Sequence, residues 1–198
     1  MDDLKITYAV DADGVRRASI PEATFAYASS FIRETAHKSA SEIAAAVQQG
    51  QDAILRTIEG LTDGQAHHKP SPDGWSVLDT MAHIVTVKRI CVALTTSLAA
   101  GQLPPGFGPH FEEERAQDGV TVVRFDTLAE AREAAEAAHN ELLALIAKID
   151  DAGVEIRFKH FFFGSLNARE WAVFPRIHDG DHGPQLARIR EAADFPAA

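Results

Sequence analysis

Between residues 128 and 149 the apolar positions fall at Leu128, Ala131, Ala135, Ala138, Leu142, Leu145 and Ile149, in steps of three and four. That spacing draws one apolar seam along a helix, and a seam of this kind needs partner helices to cover it. The first twenty residues follow a different rhythm. KITYAV and VRRASI alternate apolar and polar positions on either side of Asp-Gly, which predicts a β-hairpin of Lys5–Val10 and Val15–Ile20 closed at Pro21. Residues 22–38 fit a short helix or an irregular arm.

Four capping signatures punctuate the remainder. Ser39 precedes Glu42 by three residues, Ser76 precedes Asp79, Thr127 precedes Glu130, and Asn167 precedes Glu170. In each the small polar side chain receives free helix N–H groups, and the acid lies near the positive end of the helix. A helical run follows every one, which predicts helices over 40–61, 77–100, 128–150 and 168–193. Gly153 marks the close of the third, and Val154–Phe163 reads as extended chain leading through Gly164 into the fourth. The long connection over residues 101–126 suits a functional cover better than a simple joint. The expected fold is all-α, a four-helix bundle over 39–198 with a small N-terminal β-hairpin extension and arm over 1–38.

Composition narrows the class of protein. At 198 residues, 45% hydrophobic and 24% charged, the chain suits one globular unit with a sizeable core. The net charge of −10, with no local basic patch, argues against nucleic acid as a partner. Cys91 stands alone, so no intrachain disulfide is available, and the N-terminus lacks the pattern of a signal peptide. Met81–Ala100 is the most apolar neighbourhood, but His83, Lys88 and Arg89 interrupt it, so no membrane span is expected. Together these features predict a cytoplasmic protein.

The last helix departs from the apolar rule where chemistry is possible. Its inward positions run Trp171, Phe174, His178, His182, Gln185 and Ile189, placing two histidines and a glutamine where apolar residues belong. His178 and His182 share one face, roughly 6 Å apart along the axis, a common spacing for two ligands of one ion. A histidine pair at this spacing also arises by chance in a chain with nine histidines. His83, about two turns inside the second helix, supplies a third imidazole. Three such ligands leave coordination positions open for water or substrate, which is a catalytic pattern rather than a closed structural one. Imidazoles suit zinc, nickel, copper or iron.

Two blocks of sequence carry a family resemblance. PSPDGWSVLDTMAHIVTVKR resembles the tryptophan-serine helix start and first ligand of the DinB-like (YfiT-like) superfamily of metal-binding four-helix bundles. HFFFGSLNAREWAVFPRIHDGDHGPQLARIR is similar to that family's H-x-x-F-G-x-L, Glu-Trp pair and H-x-x-x-H-x-x-Q ending. The resemblance covers roughly residues 39–193 and implies His83, His178 and His182 as the metal ligands, with zinc or nickel as the leading ions. It further implies a metal-dependent transfer of a low-molecular-weight thiol to a small-molecule electrophile, or a hydrolysis, in a homodimer whose N-terminal hairpin offers an exposed edge. A non-enzymatic module binding metal or a small molecule under stress is the competing expectation, and a metal-free helical interaction domain the third. Pro175 and Pro184 depart from a regular ligand helix and predict a kink or bulge.

Other polar residues have local explanations. His139 fits a fourth ligand, a partner of one, or a hydrogen-bonded residue at the seam's edge. His160 suits a structural place at a strand end better than a pocket mouth. His67 and His68 read as solvated loop, Glu112–Glu114 as a solvated face, and Cys91 as a buried, inert thiol. Asp79 either orients His83 or simply caps its helix.

Overall fold

The computed structural model describes residues 7–10, 16–72, 74–104, 123–150, 155–160 and 162–197. Strands β1 (Thr7–Val10) and β2 (Arg16–Ser19) pair antiparallel, with Thr7 opposite Ser19 and Val10 opposite Arg16. The expected hairpin is thus present, while its Asp-Gly turn lies outside the described residues. Helix α1 (Glu22–Ala36) follows, and the stretch left open between helix and arm is therefore helical. Its Thr, Ser and aromatic residues are weak helix formers. What holds it is packing: Ala28, Ile32, Thr35 and Ala36 are buried, against α6 above all, and Phe25 stacks on Phe163 at 5.7 Å.

The four predicted long helices are α2 (Ala40–Thr57), α4 (Val77–Ala99), α5 (Leu128–Ile146) and α6 (Ala168–Arg190). All four capping boxes form, with both the side-chain and the backbone hydrogen bond in place. A fifth, Thr62 with Gln65, opens the one-turn helix α3 (Asp63–Ala66), which the sequence reading took for loop. The helices stop one to four residues short of the predicted ends. In α5 the seam is buried through Leu142 and continues at Ile146 rather than Leu145, a step of four keeping the stripe in line with its partners. Residues 151–154, with the expected stop at Gly153, lie outside the described residues. So does most of the long connection, 105–122 including Glu112–Glu114, and its expected role as a cover.

Val154–Phe163 was expected as one extended run. Instead β3 (Phe158–His160) and β4 (Gly164–Leu166) form a short antiparallel hairpin, in which Gly164 opens β4 with a φ of +70° that favours glycine. Helix α6 then runs unbroken through Pro175 and Pro184.

The four long helices pack in a ring: α2 on α6, α6 on α4, α4 on α5, and α5 on α2. Their buried apolar residues fall into two separate clusters. One holds Ile43 and Val47 of α2, Cys91, Leu94 and Leu98 of α4, Leu142 and Ile146 of α5, and Trp171, Val173, Phe174 and Ile177 of α6. The other holds Ile54 and Ile58, Val77, Leu78, Met81, Ile84 and Val85, Ala131 and Ala135, and Leu186 and Ile189. Every helix interrupts its apolar stripe between the clusters with buried polar residues: Gln51, Lys88, His139, and Asp179 with His182. A polar layer thus crosses the interior, and the candidate site lies beside it. No described helix is long and apolar enough to cross a membrane.

Two substitutions test this assignment by urea unfolding. Leu142→Ala, at a fully buried position, is expected to lower stability by about 2–5 kcal/mol. Ser76→Ala removes a helix cap and is expected to cost about 1 kcal/mol.

Candidate metal centre

Helices α4 and α6 bring His83, His178 and His182 together. His178 Nε2 lies 3.0 Å from His83 Nε2 and 3.2 Å from His182 Nε2, and one ring nitrogen from each residue falls within 4.8 Å of the others. His182 is buried, whereas His83 and His178 are half-buried.

The proton count at these nitrogens is informative. His182 Nδ1 lies 2.7 Å from Gln185 Oε1. A carbonyl oxygen only accepts, so Nδ1 carries the proton and the neutral ring presents a lone pair at Nε2. If His178 Nε2 is protonated, its single proton must serve both neighbours or meet a second N–H from His83. If it is unprotonated, two lone pairs face each other at 3.2 Å. No arrangement of neutral rings gives each contact its own proton. A cation accepting all three lone pairs removes the conflict. Two of the three separations also approach those of a metal site: a tetrahedral ion with bonds of about 2.0–2.1 Å sets its ligand nitrogens roughly 3.3 Å apart, and the whole group lies within 4.8 Å. The three-histidine group therefore fits a divalent ion.

Protonation does not resolve the conflict either. Burial first, then the imidazoles of His182 and His83, then Lys88 and His160, holds His178 well below the ordinary histidine range. Burial also lowers His182, against the opposing effects of the Gln185 hydrogen bond and the Asp179 carboxylate. Both rings stay neutral at physiological pH, the form in which imidazole ligates metal.

Two parts of this site were not read from the sequence. Trp75, part of the tryptophan-serine helix start, is 43% exposed and forms a wall of the site. Its ring lies 5.2 Å from that of His83 and stacks at 6.4 Å on that of His182. Lys88 was noticed only as a break in an apolar run, yet its ammonium donates to Gln51 Oε1 at 2.7 Å and to Asp179 Oδ2 at 3.0 Å. A salt bridge in a helical interior leaves no periodic trace, because its partners are 91 residues apart.

Among the described residues, the other histidines stand apart from the cluster. His139 is buried at the seam with Nε2 2.9 Å from Gln48 Oε1, which matches the hydrogen-bonded reading rather than ligation. Burial, followed by Lys88, lowers it to about 4, with Asp52 opposing. His160 is structural, as expected at the strand end: its Nδ1 accepts the backbone N–H groups of Phe162 and Phe163, holding the β3–β4 turn. His67 and His68 are not merely solvated loop. His67 Nε2 meets the Asp126 carbonyl at 2.9 Å, and His68 pairs with Asp194 and packs edge-on against Phe195. Asp79 caps its helix through Ser76 N–H and pairs with Lys69. Cys91 is buried and free of disulfide.

Two outcomes are expected from this geometry. Gln185→Leu removes the group that sets the His182 tautomer and should weaken metal binding 10–100-fold in a chelator competition. The folded-state values of His139, His178 and His182 lie below those of the unfolded chain, so the unfolded chain binds more protons on acidification. Stability of the metal-free protein is then fully present above about pH 6.5 and falls as pH drops toward about 4. Unfolding titrations across that range should show the slope, and His139→Gln should reduce it by up to about 3 kcal/mol at pH 4.

No curated protein and no solved structure matches the chain. Residues 46–186 match the DinB superfamily. That span runs from within α2 to near the end of α6 and includes all three clustered histidines. The chain belongs to the DinB superfamily.

Proposed function

We propose that this protein binds one divalent metal ion, zinc or nickel ahead of others, through His83, His178 and His182 inside a four-helix bundle. With it the protein transfers a low-molecular-weight thiol to a small electrophile or, second in order, hydrolyses one. The observation that carries the reading is the convergence of three ring nitrogens with one proton too few for their contacts. A bound ion would supply Lewis-acid polarisation and a lowered pKa for a thiol or water. The chain's own contribution is positional. Gln185 keeps the lone pair of His182 aimed at the centre, α4 and α6 fix the separations of the rings, and Trp75 screens one side of the site from water while leaving an aromatic face for an apolar substrate. Three protein ligands leave room for a thiolate or water beside the electrophile. Action as a cytoplasmic homodimer belongs to the same proposal.

A second reading, in which the protein holds metal or a small molecule without turnover, draws support from the donor set: among the described residues no carboxylate joins the three histidines to act as a base.

The deciding experiment is elemental analysis of the purified protein beside His83→Ala and His178→Ala. About one metal per chain, lost in both variants, is expected, followed by metal-dependent consumption of thiol in a conjugation assay. Wild-type protein that takes up no zinc or nickel would overturn the reading. Metal without turnover across thiol-conjugation, isomerisation and hydrolysis panels would leave the non-enzymatic module standing.

A further inference from the structure

The polar layer contains an ion pair whose position bears on the site. Asp179 stands between His178 and His182 on α6, and Lys88 lies five residues beyond His83 on α4. The pair therefore ties together the same two helices that contribute the histidines. Gln51 of α2 takes another hydrogen of the Lys88 ammonium. Gly50 permits the approach of α2, since a Cβ there would come within 3.1 Å of Asp179 Oδ2 and of the Arg176 side chain. Three helices are thus pinned at one level by directional bonds.

Stability is a poor explanation for this arrangement. Both side chains of the pair are 1% exposed, so both charges are stripped of water. Buried ion pairs of this kind commonly do no better than apolar residues of similar volume. This one is also incompletely satisfied, because Asp179 Oδ1 and Gln51 Nε2 have no hydrogen-bond partner among the described residues. What such a pair can supply is register. Apolar seams rich in alanine, valine and leucine tolerate small axial slips, whereas an ammonium seated on a carboxylate and an amide oxygen does not. Three imidazoles that must meet at one point need that precision, to about 0.5 Å.

We propose that Lys88–Asp179 is a positioning element that fixes α6 against α4 so that His178 and His182 meet His83. The inference rests on the metal-centre reading for its consequence in metal affinity, and on the packing alone for its consequence in ring geometry.

The test uses the full chain with Lys88→Met and Asp179→Leu combined, which replaces the pair by apolar side chains of similar length. Circular dichroism and the thermal midpoint should be unchanged or raised, while zinc affinity by chelator competition should fall 10–100-fold. Nitrogen-15 spectra of the imidazoles in the metal-free protein should show the three clustered rings shifted or broadened, and Lys88→Gln with Asp179→Asn, which retains a hydrogen-bonded link, should restore them toward wild type. Zinc affinity and imidazole spectra both equal to wild type in the apolar variant would overturn the proposal. So would an apolar variant that fails to fold, since the pair would then serve stability. If the wild-type protein binds no zinc, the metal reading fails by itself, and the imidazole spectra still decide whether the pair positions the rings.

Discussion

Ring nitrogens held 3.0 and 3.2 Å apart in a helical interior place a demand on their surroundings that neutral imidazoles do not meet by sharing protons. Protonating a ring would answer part of it, but burial holds both His178 and His182 below the ordinary range, joined at His178 by neighbouring positive charge. The rest of the interior can be understood around that demand. The rings must come from helices that are close, fixed in register and partly shielded from water, with a path left open to one side. Half-burial of His83 and His178 beside Trp75 meets the condition of partial shielding.

The first conditions are met by division of the core. Two apolar clusters, one toward each end of the long helices, supply the burial that drives association. Between them each helix contributes a buried polar side chain, so the helices are joined there by directional bonds rather than by shape alone. Separating the two tasks avoids a conflict. Apolar packing provides the free energy, while the polar layer provides the alignment that a three-point site requires. Capping boxes at five helix starts satisfy backbone donors that the helices themselves leave unpaired.

The peripheral elements serve the same centre from a distance. Helix α1 lies chiefly on α6, and the β3–β4 hairpin, held by His160 and by Trp171 Nε1–H donating to the Phe158 carbonyl, leads directly into the cap of α6. The buried Glu170, which caps that helix, is paired with Arg33 of α1 and with Arg157 just ahead of β3. The N-terminal turns of the ligand helix are therefore anchored by two separate elements before the helix reaches His178.

Local features were legible in the sequence because their causes are local. Capping residues three apart, the seam of α5 and the period-two alternation of the first strands each reflect a backbone geometry that neighbouring residues dictate. The three histidines were legible too, since two share a helix face at one turn's spacing and the third stands out in an apolar run. Other features were decided only by the tertiary structure. Residues 22–36 are helical because α6 covers their apolar stripe, and nothing in their own propensities requires it. His139 forms a hydrogen bond at the seam instead of joining the centre, because Gln48 faces it from α2. The Lys88–Asp179 pair and the wall made by Trp75 depend on which helices lie side by side. Spacing along a chain sets which residues share a face, but packing alone sets what that face meets.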